Sequence, residues 1–407
     1  MKRIKRILNK RILNDNKVTE HFYKIGAFLI ALMFVILIFT IIVRSSLFGG
    51  VDPEKHIYFE IVFLLLLAVL AEVAVFYFKL QSVIVLMILG IFIGPSFLTM
   101  AWDFLHTLNL PIQLAAHAPE IIYNHEIIRV FAQLGAIILL FKVGLHSKIE
   151  TLFSKENIIT AVIGIILPFV AGYFYAVLTG GSFAYSMFVG AALAATSVGV
   201  TVAILKEMNI LKKKFAEVII GAAIIDDILA LLLLSVVINL VGHGSAGSSV
   251  IITFISAAIF IAGAIITGKY FIGYIDKKEM GQKRLLLSLA FMLLLAYVAE
   301  IIQLSAIVGA FLAGIILNKS KNCHIIEEKT FGIELLFTPI FFISLGILID
   351  LKAIITLFIP IIIITAIALL TKIIAGASLA FFSKLNFNES LLIGIGMAPR
   401  GEVALII

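Results

Sequence analysis

The sequence predicts an all-α polytopic membrane protein built on an inverted repeat, and three observations predict it. The 407 residues are 62% hydrophobic and only 14% charged, with a mean hydropathy of +1.18. Soluble domains run at roughly 45–50% apolar and about 25% charged. Apolar runs of spanning length recur along the chain, and the lysines gather on alternate connections between them. Two runs in corresponding places carry interruptions rich in hydroxyls, glycine or proline. The net charge of +7 is therefore explained by orientation in a bilayer and not by a nucleic-acid partner. The single cysteine, Cys323, allows no intrachain disulfide.

Residues 1–57 read as a basic arm, MKRIKRILNKRILNDNKVTEHFYK, followed by an extra apolar helix from Ile25 to Val43. A cleaved leader is the alternative. The run is long for one, however, and Arg44-Ser45-Ser46-Leu47 lacks a small-x-small cleavage pattern. A retained span with its arm on the inner side is expected. Residues 58–407 read as one transmembrane domain. Its second span runs from Tyr58 to Phe78, and its third, Val83–Met100, carries LGIFIGP, whose small residues let helices approach closely. The fourth to seventh are Ile127–Leu145, Ile158–Leu178, Ala184–Leu205 and the helix around Glu217–Val236. Ile251–Ile275, Leu285–Ile302, Ile307–Leu317 and Ile333–Ile349 follow. The twelfth, Ile354–Phe382, is long enough to tilt or project, and a thirteenth begins near Leu391.

With the arm inside, the connections after even-numbered spans must also be inside. They hold Lys79, Lys148 with Lys155, the Lys206–Lys214 cluster, the Lys277–Arg284 cluster, Lys319 and Lys384. The outer side has only Arg44, Lys55 and Lys352, with Arg129 just inside the fourth span. This bias predicts a multi-pass protein of the cell membrane with a cytoplasmic N-terminus.

Spans two to seven and spans nine onward read as two copies of one unit. LGIFIGP of the third span matches VGAFLAGIIL of the tenth, and AIILLFKVGL of the fourth matches PIFFISLGILI of the eleventh. Matching spans are offset by an odd number, so the copies face opposite ways. The pairing matches the sixth span with the thirteenth, and the seventh with a fourteenth that the sequence does not contain. The chain stops inside an apolar run, so the last core helix is expected to be missing from it.

The stretch EVIIGAAIIDDILALLLLSV places Asp226 and Asp227 in mid-membrane. One carboxylate there costs about 2.5–3.5 kcal/mol on insertion scales. Such a pair must face a wet cavity, a cation or a buried partner; a helix-packing pair is the bland alternative. In the sixth span, AATSVGVT brings Thr196, Ser197 and Gly199 to a point where a broken helix would expose backbone carbonyls to a cation. Small-residue helix packing is the alternative there. The thirteenth span offers GMAPRGE, where Pro399 and its glycines favour a break. Arg400 and Glu402 should then face each other or the broken ends.

Lys372 lies about ten residues, roughly 15 Å of helix, from Phe382. That is too deep for easy snorkelling, so a carboxylate partner is expected, either Asp226 or Asp227. Lys142 and Lys269 sit near inner helix ends, where snorkelling suffices. Glu72 and Glu300 occupy roughly matching places in the two copies and read as solvated or interface residues. No nucleophile triad, phosphate loop, nucleotide fingerprint or metal-ligand histidine spacing accompanies the spans. An enzyme is not indicated, and no catalytic residue and no cofactor are expected.

The motifs ATSVGVTVAILKEMNIL, VIIGAAIIDDILALLLLS, LLTKIIAGA and MAPRGEVALI, in this order, resemble the monovalent cation:proton antiporter superfamily, in its branch of NapA-type sodium/proton antiporters. The resemblance covers the chain from about Tyr58. It implies a homodimer in the lipid bilayer, with a dimerisation domain and a six-helix core containing two crossed, broken helices. It implies exchange of Na+ (or Li+ or K+) for H+ by elevator-like alternating access. By motif, Asp227 would hold the proton or the transported cation, the sole metal assignment. Asp226 would pair with Lys372, and Thr196 and Ser197 would lie beside the ion. Lys372 releasing its own proton would make transport electrogenic. The alternatives are a K+/H+ exchanger or K+ efflux protein, whose relatives carry Gln-Asp where this chain has Asp226-Asp227, and, from another class, a channel or a non-transporting membrane sensor.

Overall fold

The structure, a computed structural model, describes residues 53–107, 121–147, 154–241, 246–277, 282–302, 304–383 and 385–400. The basic arm, the first apolar run, Lys148, Lys384 and Glu402 lie outside the described residues. All regular structure among the described residues is helical. In chain order the helices are α1 (Pro53–Phe78), α2 (Ser82–Ile93), α3 (Pro95–Thr107), α4 (His125–Gly144), α5 (Lys155–Leu178) and α6 (Phe183–Ala194). Next come α7 (Val198–Glu207), α8 (Lys214–Val241), α9 (Ala246–Ile275), α10 (Lys283–Ile301) and α11 (Ala306–Asn318). The last are α12 (Cys323–Ile347), α13 (Leu351–Thr356), α14 (Phe358–Ala377), α15 (Leu379–Phe382) and α16 (Phe387–Gly396). Among the described residues 8 helices are long and apolar enough to cross a membrane, or 9 if the bent pair α2–α3 counts as one span.

Three spans are divided, each for a local reason; the sixth is expected to break, whereas the third and twelfth read as continuous in the sequence. The third is bent by 52° between α2 and α3. Gly94 sits extended at φ −66°, ψ 149°, as a residue before proline is pushed to do, and Pro95 opens the next helix. The sixth is interrupted between Ala194 and Val198. The twelfth falls into three pieces. Asp350 caps the short α13 by accepting from Lys352 N and Ala353 N, and Pro360 fits the first turn of α14, where no intrahelical N–H is needed. The spanning segment is thus Phe358–Phe382, shorter than the apolar run.

The chain divides into two compact units. One takes the described residues up to Ala132 together with Pro339–Ile349; the other takes Gln133–Thr338 and Asp350 onward. In the first unit, α2 crosses the end of α12 where Gly90 meets Gly346. A Cβ on Gly90 would stand 2.2 Å from Ile343 O, and one on Gly346 would stand 2.1 Å from Met87 O. In the second unit, α4 crosses α11 where Gly144 meets Gly314, with 2.3 Å to Phe311 O and 2.1 Å to Phe141 O. In all four cases the obstructing carbonyl lies three residues before the partner glycine. Exchanging the two sequence repeats turns the first crossing into the second, so the inverted repeat read from weak similarity is written into the packing. A second pair of contacts repeats in the same way: Gly172 on Gly190 joins α5 to α6, and Gly376 on Gly394 joins α14 to α16.

Backbone atoms cannot yield as a side-chain tip can, so these glycines set the crossing distance. Gly314→Ala is expected to destabilise the protein by about 1–3 kcal/mol or more, the usual cost of overpacking. Gly273, with nothing within 4 Å of its would-be Cβ, is the control: Gly273→Ala should be neutral or stabilising by up to about 1 kcal/mol. Thermal unfolding in detergent separates the two; equal melting temperatures would contradict the packing argument.

In the second unit α5, α6, α7, α8, α14 and α16 pack around one another, and α9, α10 and α11 form a second group. The latter is held by Phe291, Met292, Leu295, Phe260 and Ile316. Glu72 and Glu300 are exposed, in keeping with their reading as interface or solvated residues.

Candidate functional site

The site lies where the interrupted helices meet. After Ala194 the chain runs extended through Ala195 (φ −62°, ψ 141°). At Ser197 (φ −81°, ψ 111°) the side chain accepts from Val200 N and starts α7. Opposite, α16 stops at Gly396 and the chain continues through Met397, Ala398 and Pro399 to Arg400. Proline cannot return an amide to the preceding turn, which is why the helix ends here.

The two interruptions satisfy each other. Ser197 N donates to Pro399 O at 2.9 Å. The Thr196 hydroxyl donates to Met397 O at 3.4 Å, and that of Thr201 to Gly396 O at 3.1 Å. Arg400 Nη1 donates to Ala195 O at 2.7 Å and to Thr196 Oγ1 at 3.4 Å. A guanidinium against the C-terminal end of α6 is the favourable polarity for a helix dipole. Among the described residues Arg400 faces the broken helix end, one of the two places expected for it. Its Nε and Nη2 find no hydrogen-bond partner among the described residues, and Glu402 lies beyond them.

α8 brings both aspartates to this region, packing on α5, on both halves of the interrupted helix and on α16. Asp226 is 0% and Asp227 2% exposed. Adjacent helical residues are about 100° apart, so the two carboxylates head in different directions. Asp226 takes Lys372, whose Nζ lies 3.2 Å from Oδ1 and 3.3 Å from Oδ2. Lys372 itself is 1% exposed and lies against this carboxylate instead of reaching water. Gly164 of α5 makes room for the pair: a Cβ there would sit 3.3 Å from Lys372 Nζ. Pro168, one turn on, has no N–H to return to the Gly164 carbonyl. Thr196 and Ser197 are also buried, at 1% and 0%. The site thus offers carboxylate, hydroxyl and backbone oxygens, a hard donor set that suits an alkali cation.

A cavity opens beside α8, lined by His146 and Ser147 after α4, Phe311 of α11, Asn157 of α5, and Glu217 and Gly221 of α8. Lys212, on a lysine-rich connection, also lines it. Gly221 is five residues before Asp226, about 7.5 Å along the helix, so the cavity lies one to two turns from the aspartates, towards the lysine-rich connection that holds Lys212.

Sequence reasoning missed two buried acids. Glu60 is 0% exposed and accepts from Tyr123 N at 2.8 Å and from Asn124 N at 3.2 Å, ahead of α4. Glu334 is 6% exposed and takes Lys142 at 2.5 Å and Lys206. Lys142, read as snorkelling, is instead buried at 7% and paired. The signal was there in both cases: each acid stands in an apolar stretch, YFEIVF and GIELLF.

The description "Sodium/hydrogen exchanger, transmembrane" belongs to the family model that matches residues 61–407. The chain belongs to the sodium/hydrogen exchanger family. Within that family it is 35% identical over 301 residues to the High-affinity Na(+)/H(+) antiporter NhaS3 of Synechocystis, covering 69% of this chain and 64% of that one. It is 32% identical over 298 residues to a Na(+)/H(+) antiporter of Enterococcus hirae, covering 70% and 77%. The chain therefore spans just under two thirds of NhaS3 and more of the second relative. Its fold is similar to that of the sodium proton antiporter MjNhaP1 from Methanocaldococcus jannaschii, with a TM-score of 0.61, 21% identity, and coverage of 86% of this chain and 84% of that one. The resemblance drawn from the four motifs is this family, one of transporters, and the chain is a multi-pass membrane protein of the sodium/hydrogen exchanger fold.

Proposed function

We propose that this chain is a secondary transporter that exchanges Na+ for H+, with Asp227 as the shared site. The observation that carries the reading is a pair of buried carboxylates on the helix that packs against both interrupted spans. Lys372 holds Asp226, and Asp227, 2% exposed in mid-span, is the carboxylate at which a proton and a cation compete. A carboxylate that accepts one or the other, but not both, couples their movements once access alternates between the two sides. Thr196, Ser197 and the carbonyls of the crossing are the neutral oxygens that replace the cation's water. Arg400 positions the crossing from the α6 end.

Sodium is favoured over potassium because the relatives described above are named as sodium/proton antiporters. In this reading α5 to α8, α14 and α16 form the core that slides against the remaining helices, two copies associate in the bilayer, and the lysine-rich ends face the cytoplasm. The test is proton movement in vesicles driven by imposed gradients of Na+, Li+ or K+. Proton movement with Na+ and Li+ at well above the K+ rate is the expected result. Current far above exchanger rates would favour a channel, and K+ as the best driver would favour a potassium exchanger.

A further inference from the structure

The Lys142–Glu334–Lys206 cluster lies outside the ion site and outside the contacts used so far. Two rungs tie α12 to α4 and to the turn that follows it. Glu327 Oε1 lies 3.1 Å from His146 Nε2; two turns on, Glu334 Oε2 lies 2.5 Å from Lys142 Nζ, which also stands 4.7 Å over the Phe331 ring. The second carboxylate oxygen of Glu334 is taken by Lys206, near the end of α7. Lys206 belongs to the interrupted helix, about 13 Å along it from Ser197. One acid therefore joins a cation of the helix pair α4–α12 to a cation of the helix that carries the ion site.

The two lysines are not equivalent. The Lys142 side chain is 9% exposed and that of Lys206 34%. When α7 moves against α12, Lys206 returns to water, and Glu334 keeps Lys142 as its counter-ion. No bare charge is left in the membrane, so separation carries no large desolvation penalty. The repeat supplies a second observation. Matching Gly144 with Gly346, as their crossings require, pairs Glu334 with Ala132. The arrangement exists in one copy only, so it acts in one of the two end states. The pair is closed in this structure, where a cavity lined by Ser147, Gly221 and Lys212 of a lysine-rich connection lies beside α8, and we assign it to the state open on that side.

We propose that Lys206–Glu334 is a one-sided detachable latch that favours the state open to the lysine-rich side, with Lys142–Glu334 as its fixed base. The proposal rests on the sliding-core reading above. It is tested by the rate at which a membrane-impermeant maleimide labels position 147, in a Ser147→Cys, Cys323→Ser protein, from the lysine-rich side. Lys206→Gln is expected to slow labelling about threefold, and Lys206→Glu further, because a like charge now faces Glu334. Glu334→Gln strips Lys142 of its partner and carries a folding risk, so the Lys206 variants carry the test. Labelling unchanged in both variants, while the parent exchanges sodium for protons, overturns the latch alone. No sodium-driven proton movement in the parent overturns the transport reading, and slower labelling in the variants then still upholds the latch.

Discussion

Asp227→Asn is expected to reduce sodium-driven proton movement to the level of empty vesicles while leaving the fold intact. Asparagine is close in shape to aspartate but can neither carry a proton at neutral pH nor balance a cation. Because Asp226 keeps Lys372, the substitution leaves that buried pair intact. A binding measurement makes the expectation sharper than a transport assay alone. A ligand at 100 times its dissociation constant stabilises the state that binds it by about 2.7 kcal/mol. Sodium should therefore raise the melting temperature of the parent in detergent and leave Asp227→Asn unmoved. An equal sodium-dependent rise in both proteins would place the cation elsewhere.

The second large effect is on stability. Lys372→Met strips Asp226, at 0% exposure, of the ammonium 3.2 Å away, and breaking a buried pair from one side costs about 3–5 kcal/mol. Replacing both members, Asp226→Asn with Lys372→Met, removes the bare charge and is expected to recover most of that loss. The measurement is a double-mutant cycle on detergent-solubilised protein, followed by reversible unfolding or, failing reversibility, by melting temperature. A coupling of several kcal/mol is the expected outcome. Simple additivity of the two single changes would mean that the 3.2 Å contact contributes little, and that Lys372 is held by something other than Asp226.

Much of this architecture was readable from residue order because a bilayer simplifies the code. Length, apolarity and lysine bias locate spans, and the interruption at Thr196-Ser197 was visible because hydroxyls and Gly199 are poor occupants of a mid-membrane helix. Asp226 and Asp227 announced themselves by cost alone. Which of them takes Lys372 the residues alone left open, and only the resemblance pointed to Asp226, since neighbouring residues on a helix differ only in direction, and direction depends on where α14 lies. Lys142 shows the same limit. Depth along its own helix made snorkelling sufficient, and only the approach of α12 with Glu334 shows that the ammonium stays buried. At Gly94-Pro95 the small residues were read for packing, and the bend they also produce was overlooked. Small residues report both outcomes with one signature.

The mirrored glycine crossings carry a thermodynamic consequence. If each copy of the repeat can adopt the arrangement of the other, the two end states use the same contacts in exchanged order and lie close in energy. Such a carrier runs in either direction, and the gradients alone decide which. An ion pair present in only one copy cannot alter where exchange comes to rest. It changes where the empty carrier waits, so half-saturation by sodium differs between the two faces in opposite senses. The asymmetry of Glu334 and Ala132 is thus a statement about sidedness, readable as two unequal sodium affinities in vesicles of opposite orientation.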